Sequence, residues 1–545
     1  MTSTGGATRD LRGRAFRQLI GGELVGGATT QPVIDPATEE VIATAPVAGA
    51  DQVDAAVAAA AGAFEAWRAI PLAERAAVVR AIADAIEARR EEIATIVTLE
   101  NGKPIDGARG DVDDSLTWAR HVADFVIEPE VLRDDEAARI EVHHRPVGVV
   151  AAIIPWNFPF FQTIYKLAPA LLAGNTVVIK PAPTTPLNAC LIAEIVQPLV
   201  PPGVVNVVGD AGEVGPRLTV HPDVAKVSFT GSTASGRKVM ESGSPTLKKI
   251  VLELGGNDSA IVLADADVPA VAKDIFSWAF KNTGQVCINI KRIMVPGSLY
   301  EEFAEEFADL AKATKVGHGL DQDTELGPIQ NSRQYEAVKT FLQKAHQDGT
   351  VIAGGSLIEG PGYFVQPTVV RDVAPESTLI HEEVFGPIRS LIRYEDVEEA
   401  IRQANDTHYG LGNSVWGTNV EEARLAHLDP VADDRDAEHN EAYLRFRAAV
   451  ELGLTRTRRL EDYALELGYS ARTLSRATQA AAGVNAKEFI DRRTTLEAKR
   501  MLAHSDRTAA QIAAHLGFTS ATNFSKYFLR CAGTTPIAFR AGLRR

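Results

Sequence analysis

Cys287 stands in the run Asn282-Thr283-Gly284-Gln285-Val286-Cys287-Ile288. A thiol in such a place is either an inert buried side chain or a nucleophile that attacks as thiolate. Glu253 interrupts the apolar run Val251-Leu252-Glu253-Leu254-Gly255-Gly256. A charge within such a strand is costly unless paired, so Glu253 either turns outward or works as a general base. Thr230-Gly231-Ser232 follows the strand-like Ala225–Phe229 and opens the helix-like Thr233–Glu241. A small residue at a strand-to-helix turn exposes backbone N–H groups at the positive end of a helix, a place to hold phosphate. Gly209, Gly212 and Gly215 offer a second such turn, with spacing unlike the Rossmann fingerprint. At either turn the glycines equally suit a purely structural role. Only three cysteines occur, Cys190, Cys287 and Cys531. They exclude a disulfide scaffold and a four-ligand zinc site, and no metal is expected.

The elements that must position these residues follow from periodicity. Asp51–Trp67, Leu72–Arg89 and Glu91–Glu100 carry apolar residues at three- and four-residue spacing and predict amphipathic helices. The runs Val149–Ile154, Thr176–Ile179, Val204–Val208 and Val224–Phe229 predict buried parallel strands, each followed by helical sequence. The alternation predicts an α/β, doubly wound sheet, and a second α/β stretch reaches about residue 418. Residues 1–16 read as a loose tail and 428–440 as an acidic linker. From 441 to 545 the sequence is helical and contains a faint repeat. Leu467-Gly468-Tyr469 precedes Leu474-Ser475-Arg476, and Leu516-Gly517-Phe518 precedes Phe524-Ser525-Lys526.

Charge divides at the same boundary. Of the 545 residues, 1–440 carry a net charge of −24 and 441–545 carry +9, within a total of −15. The length corresponds to three or four units of about 150 residues. The basic end suits a polyanionic partner and the acidic body does not. No secretory signal and no run of 18 apolar residues occurs, so a cytoplasmic protein without membrane attachment is expected.

Residues 17–427 resemble the NAD(P)-dependent aldehyde dehydrogenase superfamily. Its motifs stand in order as Pro155-Trp156-Asn157-Phe158-Pro159, Ile179-Lys180-Pro181, Phe229-Thr230-Gly231-Ser232, Leu252-Glu253-Leu254-Gly255-Gly256, Gly284-Gln285-Val286-Cys287 and Glu382-Glu383-Val384-Phe385-Gly386-Pro387. The resemblance implies that Cys287 attacks an aldehyde, with the oxyanion held by the Asn157 amide and the Cys287 N–H. Hydride transfer to NAD or NADP then leaves a thioester, and Glu253 activates the water that releases the acid. It also implies a cofactor contacted by Ile154, Pro155, Trp156, Gly209, Gly212, Phe229, Thr230, Gly231 and Leu254. Lys180 and Glu383 would take its two riboses, Phe385 its nicotinamide side and Ser232 its pyrophosphate. The implied domains are a cofactor-binding domain over 17–253, with 129–147 as a pairing-strand excursion, and a catalytic domain over 254–427.

Two departures stand out. Pro183 occupies a position where the family often has a glutamate for the adenosine ribose, which leaves NAD and NADP both open. The resemblance also stops at 427, before a further catalytic-domain strand, a Pro-Phe-Gly-Gly segment and a terminal pairing strand. The catalytic domain therefore reads as truncated, and stable homo-oligomers are not expected.

Residues 441–543 resemble the DNA-binding domain of AraC-type regulators. Helix Leu460–Leu467, a turn at Gly468-Tyr469 and a helix capped by Ser470 form one helix-turn-helix. Thr508–Leu516, Gly517-Phe518 and a helix from Thr519 or Ser520 form the second. A long helix, about Ala486–Ala503, would space them about one DNA turn, ~34 Å, apart. Arg472, Ser475 and Arg476, and then Thr522, Asn523 and Lys526, would face double-stranded DNA. Leu474, Phe518, Phe524 and Phe528 read as core. The whole chain reads as an aldehyde-oxidising enzyme fused to a DNA reader, or as a regulator whose body is inactive or only binds ligand.

Overall fold

Strands Val149–Ile153 and Thr176–Lys180 are buried at every position, as befits parallel strands covered on both faces. They are central in a seven-stranded sheet. Val224–Thr230 and Lys249–Glu253 add in parallel on one side and Val205–Val207 on the other. The antiparallel pair Gln18–Ile20 and Glu23–Val25 closes that side. The computed structural model describes residues 11–135, 138–418 and, except for 444, 448, 451, 452, 454, 483, 505 and 506, residues 442–543. The expected linker at 428–440 lies outside the described residues.

Two units divide between His427 and Leu428. In the first, helices Ala50–Ala69, Leu72–Ala88, Arg90–Asn101 and Ile105–Ala123 cover the seven-stranded sheet together with Pro159–Leu172 and Leu187–Val196. Their apolar stripes form one large core around Trp67, Ile86, Phe160 and Ile179. Between Glu253 and Asp258 the chain passes to a second sheet of six strands. Its order is Thr350–Ala353, Thr368–Arg371, Ile388–Tyr394, Ile290–Pro296, Asp258–Val262 and Asn413–Trp416. All neighbours are parallel except the first pair. Glu130–Asp135 and Ala138–Val142 form a separate hairpin within the expected excursion, with Val131, Leu132 and Ile140 exposed.

Residues 11–16 correct one expectation. Leu11 and Phe16 are buried, and Arg14 pairs with Glu92 and Glu194 at 2.6 Å each. A segment read as tail from its Gly, Thr and Arg content is thus held by two apolar anchors and a cation between two carboxylates.

Among its described residues the second unit has helices and no strand: Leu460–Leu467, Ala471–Ala482, Ala486–His504, Ala509–His515, Ala521–Ala532 and Pro536–Leu543. The Ser470 and Ser520 hydroxyls accept the N–H groups of Thr473 (3.0 Å) and Asn523 (3.1 Å), capping the two helices expected to face DNA.

Glu100 ties two helices of the body together. Its buried carboxylate accepts the backbone N–H groups of Leu187 (2.8 Å) and Asn188 (3.1 Å) and the Asn188 side-chain amide (2.5 Å). Burial pushes its pKa up to about 7. A carboxyl that holds its proton more tightly when folded stabilises fully below the unfolded value of about 4.3, and that share is lost as pH rises through about 7. The Glu100→Gln variant is therefore expected to show a flatter dependence of thermal midpoint on pH between about 4.5 and 7 than the parent. Scanning calorimetry across that window checks it; equal slopes would remove Glu100 as the cause.

Candidate functional site

The loop that carries Cys287 is held in an unfavourable backbone conformation. After helix Val268–Phe280, Asn282, Thr283 and Gly284 have φ of 52°, 57° and 74°. Non-glycine residues in this region cost about 1–3 kcal/mol each and persist only when their surroundings fix them. Here the Asn282 amide donates to the Asn157 carbonyl at 3.0 Å, and the Thr283 hydroxyl donates to the Gly327 carbonyl at 2.9 Å. A side chain at Gly284 would place its Cβ 2.1 Å from the Gly386 carbonyl oxygen. The wholly buried Arg389 guanidinium clamps the same region, donating to the carbonyls of Ala279 (Nε, 2.8 Å), Gly386 (2.8 Å) and Ile388 (2.6 Å).

Asn157 is fixed from both ends. Its carbonyl also accepts the Lys103 ammonium at 3.2 Å, and Lys103 forms a buried pair with Asp111 at 2.5 Å while lying over the Phe158 ring. Its side-chain amide donates one N–H to the Gln285 carbonyl at 3.1 Å. The carboxamide and the nucleophile loop are thereby tied together.

Cys287 itself is half-buried, and burial pushes its thiol pKa up. The Lys291 charge and the Ile288 N–H oppose that shift. Lys291 is buried, donates to the carbonyls of Cys287 (2.6 Å) and Val286 (3.0 Å), and lies 3.7 Å from Glu383. Burial lowers its pKa to about 8 against the pull of Glu383 and Asp258. Glu383 accepts the Gly256 N–H at 3.1 Å. A Cβ on Gly256 would lie 2.6 Å from the Cys287 carbonyl oxygen, so only glycine lets the connection between the two sheets approach the nucleophile loop.

A cavity of about 520 Å³ collects many of the expected residues: Pro155, Trp156, Asn157, Thr230, Gly231 and Ser232 from the seven-stranded sheet and its turns. Leu254, Cys287, Glu383 and Phe385 line it as well. The Trp156 and Phe385 rings meet edge to face at 5.4 Å. Glu253 ends its strand half-buried, next to the lining pair Leu254 and Gly255, and its carbonyl accepts the Gly231 N–H at 3.0 Å. Ile154, Lys180, Gly209, Gly212 and Phe229 stand outside the lining. Lys180 is paired with Asp210 at 3.0 Å, and Gly209 abuts the Pro46 carbonyl. The features that fit a dinucleotide are the Ser232-capped helix N-terminus, the aromatic pair and Glu383.

The sequence reading did not single out Lys166, Lys291 or Arg389. Lys166 donates to the Thr230 hydroxyl at 2.7 Å, and burial lowers its pKa to about 8 while Glu253 opposes the shift. Its signal was available: a lone lysine within the apolar helix Pro159–Leu172. In the second unit Arg472, Arg476, Thr522, Asn523 and Lys526 are exposed and Ser475 is half-buried. Leu474, Phe524 and Phe528 are fully buried, and Phe518 packs against the core that holds Phe524 and Phe528.

Two α/β sheets share one cavity, and a cysteine and a carboxamide are tied together at its wall, an arrangement that suits a thiol nucleophile beside an oxyanion donor. Residues 25–428 match the aldehyde dehydrogenase family, and the chain belongs to it. Residues 463–542 match a helix-turn-helix domain, here of AraC type. The mitochondrial succinate-semialdehyde dehydrogenase of Arabidopsis thaliana is 40% identical over 414 residues, which cover 74% of this chain and 78% of that protein. The geranial dehydrogenase of Castellaniella defragrans is 39% identical, covering 74% and 87%. The NAD+ complex of an aldehyde dehydrogenase from Bacillus cereus superposes with a TM-score of 0.75 at 35% identity, covering 78% of this chain and 88% of that one. Among the described residues no helix is long and apolar enough to cross a membrane.

The raised thiol pKa has a direct readout. Alkylation of Cys287 by iodoacetamide, followed by mass spectrometry, is expected to accelerate only above the ordinary thiol value of about 8.5. Lys291→Met is expected to move that rise to still higher pH; a rise below about pH 7 in the parent would contradict the assignment.

Proposed function

We propose that residues 17–427 oxidise an aldehyde to its carboxylic acid with NAD or NADP, and that residues 441–543 bind double-stranded DNA. The observation that supports the first half best is the convergence of Cys287, Asn157, Glu383 and the Trp156–Phe385 pair on one cavity. In this reading 17–253 is the cofactor domain, with 129–147 as its pairing arm, and 254–427 is the catalytic domain.

Once the Cys287 thiol has lost its proton to water in the cavity, the thiolate sulfur bonds to the aldehyde carbon, and the C=O π pair moves to the oxygen, which takes up the charge. One N–H of the Asn157 amide is spent on the Gln285 carbonyl. The second, with the Cys287 backbone N–H, stabilises the oxyanion. NAD(P), when bound, supplies the acceptor for the hydride that leaves this carbon. Glu253 then takes a proton from the water that attacks the resulting thioester, and Cys287 departs as thiolate. Glu383, Ser232 and the Trp156–Phe385 wall orient the cofactor. Pro183 offers no acceptor to the adenosine ribose, so both dinucleotides are candidates.

The DNA half rests on two capped helices with exposed Arg472 and Arg476, and Thr522, Asn523 and Lys526, within residues 441–545, whose net charge is +9. A second reading, a regulator whose body binds ligand without turnover, is favoured by the family match ending at residue 428.

Formation of reduced cofactor from a panel of aldehydes separates these readings. Cys287→Ala is expected to lower turnover at least about a thousand-fold. Glu253→Gln is expected to keep a first burst of reduced cofactor but slow later turnovers by about 10²–10⁴. No turnover in the parent, together with DNA affinity that changes when aldehyde is added, would favour the regulator. For the DNA half, Lys526→Ala is expected to weaken binding and to lower the slope of log affinity against log salt by about 1. Unchanged slope and affinity would remove Lys526 from the interface.

A further inference from the structure

The helical unit holds two apolar cores that share no residue. The first gathers Phe446, Tyr463, Leu474 and Ile490, and the second Ala498, Leu502, Phe524 and Phe528. Each is seated at one end of helix Ala486–His504. At the waist between them the contacts are polar and aromatic. Arg458, just before the first helix-turn-helix, donates to the Leu516 carbonyl and to the Gly517 carbonyl (2.9 Å) in the turn of the second. Its guanidinium lies 3.9 Å above the Phe518 ring. Phe518 contacts the Tyr527 ring at a centroid distance of 5.0 Å. The Tyr527 hydroxyl donates to Asp491 Oδ1 at 2.9 Å, and Arg530 reaches Asp491 Oδ2 at 3.1 Å. Lys487 completes the circuit, donating to Asp491 Oδ1 at 2.6 Å and to the Arg458 carbonyl at 3.3 Å.

We propose that Arg458, Asp491 and Tyr527 are positioning residues that lock the second helix-turn-helix against the first and so fix the half-site spacing the domain accepts. The proposal rests on the DNA-binding reading above. Helix Ala521–Ala532 carries Tyr527 and Arg530, which reach Asp491, and the exposed Thr522, Asn523 and Lys526 nearer its N-terminus, with Asn523 one turn before Tyr527 and Lys526 one turn before Arg530. Turning that helix about the waist turns its DNA-facing residues with it. One base pair more or less between half-sites displaces the second by about 3.4 Å and rotates it by roughly a tenth of a turn. A locked domain cannot follow such a change; an unlocked one can. Asp491 is the joint of the circuit, because three donors from two elements converge on its two oxygens.

The experiment uses the full chain. A binding sequence is selected from random duplex DNA, and affinity is then measured on probes with one base pair added or removed between the half-sites. The parent is expected to lose at least tenfold on either probe. Tyr527→Phe, which keeps the ring and removes the hydroxyl, and Asp491→Ala are expected to lose less than about threefold, with affinity for an isolated half-site unchanged. In parallel, spin labels at Gln479→Cys and Leu529→Cys, with Cys190, Cys287 and Cys531 changed to serine, report the distance between the two helices. A narrow distribution in the parent that broadens in both variants supports the lock. Unaltered spacing preference and unaltered distances in both variants overturn it. A parent that selects no DNA overturns the DNA-binding reading instead, and the spin-label distances then decide the lock alone.

Discussion

A charged group with carbonyls for partners sets the shape of the site. Arg389 is wholly buried, burial lowers its pKa to about 9, and its hydrogen bonds run to the carbonyls of Ala279, Gly386 and Ile388. Burying a cation among neutral dipoles is costly unless every donor is used. Its donors converge on the end of helix Val268–Phe280 and on the Gly386 turn, the two surfaces between which the left-handed Asn282-Thr283-Gly284 run must pass. The nucleophile loop is therefore held by groups that never touch a substrate. Glu383, three residues before Gly386, and Phe385 beside it belong to the same turn, so the clamp also sets the cofactor side of the cavity.

Much of this was legible in the residues. Reactive side chains in apolar surroundings, Cys287 on its loop and Glu253 at the end of its strand, stand out because burial of such a group demands a reason. Helix Leu460–Leu467 and the cap at Ser470 follow from spacing and from a hydroxyl placed before an apolar run, whereas the second helix start stays open between Thr519 and Ser520 until the Ser520 cap decides it. What stayed hidden has a common cause. Arg389 and Lys291 are paired largely with backbone carbonyls, and carbonyls carry no sequence signal. Residues 11–16 show the same limit: two apolar anchors in a short polar segment have no period to read, and the partners of Arg14 are distant in the chain. The family resemblance implies a ribose contact for Lys180, and the structure adds its pairing with Asp210 at 3.0 Å, which the spacing of the two residues does not announce.

The two units solve different physical problems. The body gathers groups around one cavity with long-range contacts: Asn157 meets residues 101, 103, 282 and 285. A change at Asn101 or Lys103 therefore reaches the nucleophile loop through Asn157. The helical unit instead repeats one helix-turn-helix plan on either side of helix Ala486–His504, which explains why its sequence reads as a repeat.

That repeat has a consequence for how the helical unit comes apart. Its two cores lie at opposite ends of helix Ala486–His504 and share no side chain. Small separate cores each bury little apolar area, so opening one does not require opening the other. Amide exchange in the two halves therefore reports two opening free energies rather than one, and the spacer helix, common to both, is the last segment to exchange.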